Sequence, residues 1–128
     1  MIPKFRAWPK KFKRMYKVTL IDYENGDVGL KDEYGGVAIG DIKQLILMQS
    51  TGMFDKNDVE IWEGDIVKHI DGEFSFIGKV EITPFGTYVV GVDNYNFEDF
   101  SDETTMSSDV LIIGNIYENP ELLERLEG

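Results

Sequence analysis

The chain has no cysteine, one histidine and four prolines among its 128 residues. Without cysteine there are no disulfides and no thiolate metal sites, and the sequence suits a reducing compartment. His69 alone cannot supply the nitrogen ligands of a zinc site. No serine, cysteine or acid pattern marks it as part of a triad, so it reads as a packed or sheet-surface histidine. No apolar run approaches the ~20 residues that a membrane span needs. The basic N-terminus is not followed by the apolar region of a signal peptide. Gly35, Gly36 and Gly40 lack the spacing and the following helix of a phosphate-binding loop. Asp55-Lys56-Asn57 opens like a calcium loop, but the sixth and twelfth loop positions are Glu60 and Ile66 instead of glycine and glutamate; this stretch reads as a turn. Adjacent carboxylates such as Glu63/Asp65 and Glu98/Asp99 have the chemistry for acid–base catalysis. In a chain with 24 acids, such pairs arise by chance. The expectation is a protein that is not an enzyme, with no catalytic residues, no cofactor and no metal.

What is present is charge, unevenly spread. The net charge is −11. Residues 1–21 hold seven of the 13 basic residues and no acid; the other 107 carry six bases against all 24 acids, a net of −18. Such a chain is a poor non-specific DNA binder as a whole. Its basic end has three available partners: its own acidic surface, a neighbouring subunit, or an external polyanion. The nearest acid is the protein itself, which favours the first two. The candidate binding residues are Arg6, Trp8, Lys10, Lys11 and Arg14, because an indole among cations can stack on a base and hold its phosphate. The competing and preferred reading packs Trp8 on the barrel and leaves the lysines facing solvent. The acidic remainder suits either an imitation of the DNA phosphate pattern or, preferably, a highly charged soluble surface.

Apolar content of 42% is enough for a core. The segment Ile2–Trp8 alternates loosely, and Pro3 and Pro9 make it an edge strand at best. Strands are expected over Met15–Ile21, Asp27–Lys31, Val37–Ile39, about Leu45–Ser50, Asp65–Ile70, Phe74–Ile82, Thr87–Val92 and Val110–Ile113. Asn25-Gly26 and Asp71-Gly72 are hairpin signals, both residues of each tolerating positive φ. Asp41–Gln49 fits two readings: residues 42, 45 and 46 suit a helical face with Asp41 as N-cap, and Leu45–Met48 suits a buried strand; its short length favours a short turn followed by the strand. Residues 93–109 hold six acids and no base, the composition of a mobile loop. Gly114–Tyr117 reads as a helix-like turn. Asn119, Pro120 and Glu121 open a short C-terminal helix as N-cap, first position and acidic first turn, with Leu122, Leu123 and Leu126 as its apolar side. Short strands at roughly ten-residue intervals with turn chemistry between them predict an all-β protein of antiparallel, barrel-like units. The expected division is a β unit over 1–59 and an SH3-like β barrel with the C-terminal helix over 60–128, both packed as one compact globule.

Five stretches then combine: Arg6-Ala-Trp8, Leu47-Met-Gln-Ser-Thr-Gly52, Asp55-Lys-Asn57, Glu60-Ile-Trp-Glu-Gly-Asp-Ile-Val67 and Ile113-Gly-Asn-Ile-Tyr-Glu-Asn-Pro120. Together, and in this order, they resemble the YopX family of phage and prophage proteins. The chain departs from the family pattern at Pro9, usually aspartate; at Asp58, usually glycine; and at Trp62, usually tyrosine. With Asp58 in the glycine position, Asn57 is left as the residue able to take positive φ. The resemblance implies a β-rich fold with an SH3-like C-terminal part and a place in the bacterial cytoplasm of the host cell. It carries over no catalytic residue. Glu63-Gly-Asp-Ile-Val67 reads physically as a folding signal: Gly64 for a sharp bend, Asp65 to receive backbone N–H groups, Ile66 and Val67 for the core. The functional expectation is a phage accessory protein, a binding or self-assembling module that forms homo-oligomers. A host or phage protein is a second partner class, and no membrane is involved. The alternatives are a nucleic-acid-associated regulator using the basic arm, or an acidic mimic that occupies a DNA-binding host protein.

Overall fold

The computed structural model describes residues 4–71, 74–91, 97–99 and 109–122. The chain forms two units, Met1–Gln49 and Ser50–Gly128, and the division falls inside one long strand. Almost all regular structure is antiparallel β, as the turn spacing predicts.

The first unit contains β1 (Phe5–Pro9), β2 (Tyr16–Asp22), β3 (Asp27–Lys31), β4 (Val37–Asp41), a 3-10 turn (Ile42–Gln44) and the first half of β5 (Leu45–Phe54). The strands lie in the order β4-β3-β2-β1-β5. Ala7, Val28, Leu30 and Leu45 are its buried centre, with Tyr16, Val18, Ile21, Ile42 and Leu47 packed around them. β1 is not an edge: it pairs with β2 on one side and β5 on the other. The prolines do not prevent this, because β2 pairs only with Arg6 and Ala7. Pro9 lies past the end of that ladder and faces Leu45 of β5 alone, so its missing N–H interrupts nothing on the β2 side.

Aspartates set the turns of this unit. The Asp22 carboxylate accepts from the backbone N–H groups of Glu24 and Asn25 and from the Asn25 side chain. Asp32 accepts from Tyr34 and Gly36. Asp41 caps the 3-10 turn by accepting from the Lys43 N–H at 3.0 Å, which resolves the Asp41–Gln49 stretch as a turn followed by a strand. The hairpin after Asp22 is looser than the Asn25-Gly26 signal suggests. Four residues separate the paired Asp22 and Asp27, and only Gly26 of the dipeptide takes positive φ. The Asp22 side chain holds the turn in place of a tight two-residue loop.

The second unit contains the rest of β5, β6 (Glu60–Trp62), β7 (Asp65–Asp71), β8 (Phe74–Thr83), β9 (Gly86–Gly91), β10 (Phe97–Asp99) and β11 (Asp109–Asn115). Its five-stranded sheet has the order β10-β9-β8-β7-β11, a meander whose last strand returns beside the first. That order is compatible with an SH3-like barrel. Met53, Ile61, Val67, Val80, Val89 and Val110 form the core. Ile61, Ile66 and Val67 are completely buried, each stabilising by about 1.5–3 kcal/mol. The Asp71-Gly72 turn extends outside the described residues, although Asp71 and Phe74 face each other across it. The expectation of a loop over 93–109 fails at Phe97–Asp99, which pair with Tyr88–Val90 of β9; most of the remaining stretch lies outside the described residues. Gly114 and Asn115 complete β11, so only residues 116–118 turn. Pro120–Leu122 are helical, and the rest of the expected helix, with Leu123 and Leu126, is outside the described residues.

Candidate functional site

The motifs that stand out in the sequence prove to be fastenings. In Leu47–Gly52, Ser50 Oγ bonds the Glu60 carboxylate. Thr51 Oγ1 donates to the Ile61 carbonyl at 2.7 Å and accepts from the Met53 N–H at 3.1 Å. These bonds hold β5 to β6 where the register shifts between Ser50 and Phe54. In the next motif Asp55 is buried and receives three backbone N–H groups: Asn57 at 2.8 Å, Val59 at 3.0 Å and Ile112 at 3.1 Å. The positive φ of this turn falls on Asp58, at 62°, and not on Asn57. The glycine of the family pattern would occupy that conformation without a Cβ clash.

Glu63-Gly-Asp behaves as its residue types suggest. Gly64 has φ 87°, and Asp65 accepts from the Trp62 N–H at 2.8 Å. In the last motif, the buried Asn115 accepts from the Tyr117 and Glu118 N–H groups at 3.0 and 2.8 Å. The Asn119 side chain turns back to accept from the Asn115 N–H at 3.2 Å, while its carbonyl receives the Leu122 N–H that opens the helical turn. Gly114 is needed beside it, because a Cβ there would sit 2.6 Å from Asn119 Oδ1. His69 is buried in β7. Among the described residues, no group of three or more histidines and acids is placed to hold a metal ion.

The basic arm is a strand followed by a turn, not a free tail. Arg6 is half-buried in β1, facing Lys17 and Met48. Trp8 is 8% exposed, so its indole does not present the open face that stacking on a base requires. Lys10 and Lys11 are exposed; Lys10 donates its backbone N–H to the Gln44 carbonyl and its ammonium to the Lys43 carbonyl. Arg14, itself exposed, reaches the half-buried Asp32 at 4.0 Å, a long pair worth little. The arm is thus partly satisfied by its own unit.

The same region holds a groove of about 280 Å³. Phe12, Tyr16, Leu30 and Leu45 give it an apolar wall, and Lys11 and Asp41 are also among its lining residues. The Asp41 carboxylate at the groove already caps the 3-10 turn. Phe12 and Ile39 are 69% and 78% exposed. Neither stands out in the sequence: Phe12 sits inside the basic Lys10–Arg14 stretch, which reads as a polar turn, and the alternation of Val37–Ile39 does not say which side faces water.

The architecture defines an antiparallel all-β protein whose turns are locked by aspartate, asparagine, serine and threonine side chains. The model of the YopX protein family matches residues 4–124, and the chain belongs to that family. It is similar to protein EF1440 from Enterococcus faecalis, at 31% identity and a TM-score of 0.65 over 96% of this chain and 99% of that one. The yopX protein of Bacillus subtilis has a similar fold, with 22% identity and a TM-score of 0.60 over 94% and 97% of the two chains. No curated protein matches the chain. No described helix is long and apolar enough to cross a membrane.

Proposed function

We propose that the protein is a non-enzymatic module of a phage or prophage, active in the bacterial cytoplasm, that works by assembling with itself. The observation that carries this reading is the exposure of Phe12, Leu20, Val37 and Ile39 in one unit, beside a basic segment in an otherwise acidic chain. Apolar groups left in water next to charge are the ordinary composition of a binding surface. Asp22, Asp32, Asp41, Asp55 and Asp65 hold turns, which leaves them less free than the other acids to imitate a phosphate pattern.

Light scattering after size-exclusion chromatography, at low and high salt, tests the proposal. An oligomer that loosens as salt rises is the expected result; a monomer at both salts would reject it. The nucleic-acid reading retains support from the exposed Lys10 and Lys11. It requires that Lys10→Ala with Lys11→Ala weaken binding to single-stranded DNA and flatten its salt dependence.

A further inference from the structure

The strand β4 ends the sheet of the first unit. Its sequence, Val37-Ala-Ile-Gly-Asp41, has no proline, no lysine and no bulge, three of the devices that protect an edge from pairing. Val37, Ala38 and Ile39 are all exposed.

The register across β2, β3 and β4 sorts one face of this unit by charge. Lys17 faces Lys31, which faces Val37; Leu20 faces Gly29, which faces Ile39; Asp22 faces Asp27, which faces Asp41. Residues two apart on a strand share a face. The bulge at Thr19 keeps Lys17, Leu20 and Asp22 on the same one. The face therefore carries a basic row, an apolar row and an acidic row. Leu20 and Ile39 are 59% and 78% exposed, and Lys17, Lys31, Asp27 and Asp41 are exposed as well.

We propose that β4 pairs antiparallel with β4 of a second copy, centred on Ile39. This rests on the self-assembly reading and names its surface. A two-fold axis at Ile39 sets Ile39 against the partner's Ile39 and Val37 against the partner's Asp41. Each basic row then runs on into the partner's acidic row. Lys31 stands two strand spacings, about 10 Å, from the partner's Asp41, within the combined reach of the two side chains. The pairing satisfies the open backbone edge of both copies and is self-complementary, as an isologous contact must be. A parallel pairing would set acid against acid and base against base.

The chain has no native cysteine, so one introduced thiol reports one contact. Facing residues of an antiparallel pair have Cα atoms about 4.5–5.5 Å apart, inside the range a disulfide spans. Ile39→Cys is expected to oxidise to a disulfide dimer that thiol reductant dissolves. Leu20→Cys, about five strand spacings or 24 Å from its copy, is expected to stay monomeric on a denaturing gel. Lys31→Glu is expected to weaken association about tenfold. If the wild-type chain associates but Ile39→Cys does not cross-link more readily than Leu20→Cys, the β4 contact is wrong and self-assembly stands. If the wild-type chain is monomeric throughout, the self-assembly reading itself falls.

Discussion

Replacing Asp55 by alanine should be among the most damaging single changes in the second unit. Asp55 is 6% exposed and accepts three backbone N–H groups, two from its own turn and one from Ile112, 57 residues away in β11. The Asn57 and Val59 groups lie in an exposed turn and regain water when the carboxylate goes, so each accounts for about 0.5 kcal/mol. The Ile112 group is at a half-buried position, and losing a charged acceptor there costs about 2 kcal/mol. The total is about 3 kcal/mol, a large fraction of a small domain's stability. Asp55→Asn keeps one oxygen for the turn but presents an amide N–H₂ to the Ile112 N–H, for a loss of about 2 kcal/mol. Urea unfolding measures both. Following tryptophan fluorescence in a Trp8→Phe background leaves Trp62, in β6, as the only indole. The midpoint should fall with an unchanged denaturant slope. A loss below about 1 kcal/mol for Asp55→Ala would refute the argument that this carboxylate ties the turn to β11.

Two further outcomes follow from the turns. Asp58→Gly, which relieves a left-handed residue at φ 62°, should stabilise the protein by about 0.5–1 kcal/mol despite glycine's larger unfolded-state entropy; thermal unfolding that shows a loss would count against strain at this position. The Asn25 side-chain bond, helped by the Asn25 and Glu24 backbone N–H groups, lowers the pKa of the exposed Asp22 carboxyl below its ordinary 3.8. A depressed carboxylate stabilises the fold above its unfolded pKa, and that contribution is lost as pH falls through the folded one. An NMR titration should therefore place Asp22 below 3.8 and show it rise in Asn25→Ala; an unmoved value would remove Asn25 as the cause.

The strands were legible where local chemistry and burial agree. Asp27–Lys31 is a strand at the expected residues, bounded by a turn on each side, and Glu63-Gly-Asp-Ile-Val67 folds as its residue types suggest. Pairing was less legible. Proline marked β1 as an edge, but a proline at the end of a strand spoils only the ladder that reaches it, and β2 stops short. The turn at Asp55–Asp58 was visible, whereas the choice of Asp58 over Asn57 for positive φ depends on which N–H groups the Asp55 carboxylate collects. The basic arm was legible as charge but not as geometry. Burial of Trp8 and the apolar groove beside Phe12 arise from strands that meet across the sheet, which no single stretch records.

The way the carboxylates bind also bears on how this chain can change. Asp32 receives both of its turn bonds through one oxygen, and Asp41 uses one as well, so an asparagine oxygen would serve either turn. Asp55 uses both oxygens and has no such neutral substitute. The fold thus tolerates drift of surface charge at some capped turns and resists it at others. Where drift is tolerated, descendants of this chain can alter the electrostatic face shown to a partner while keeping the same loops. Asp41 would be held back from that drift by its place in the paired edge, which makes it the position where selection for folding and selection for assembly part company.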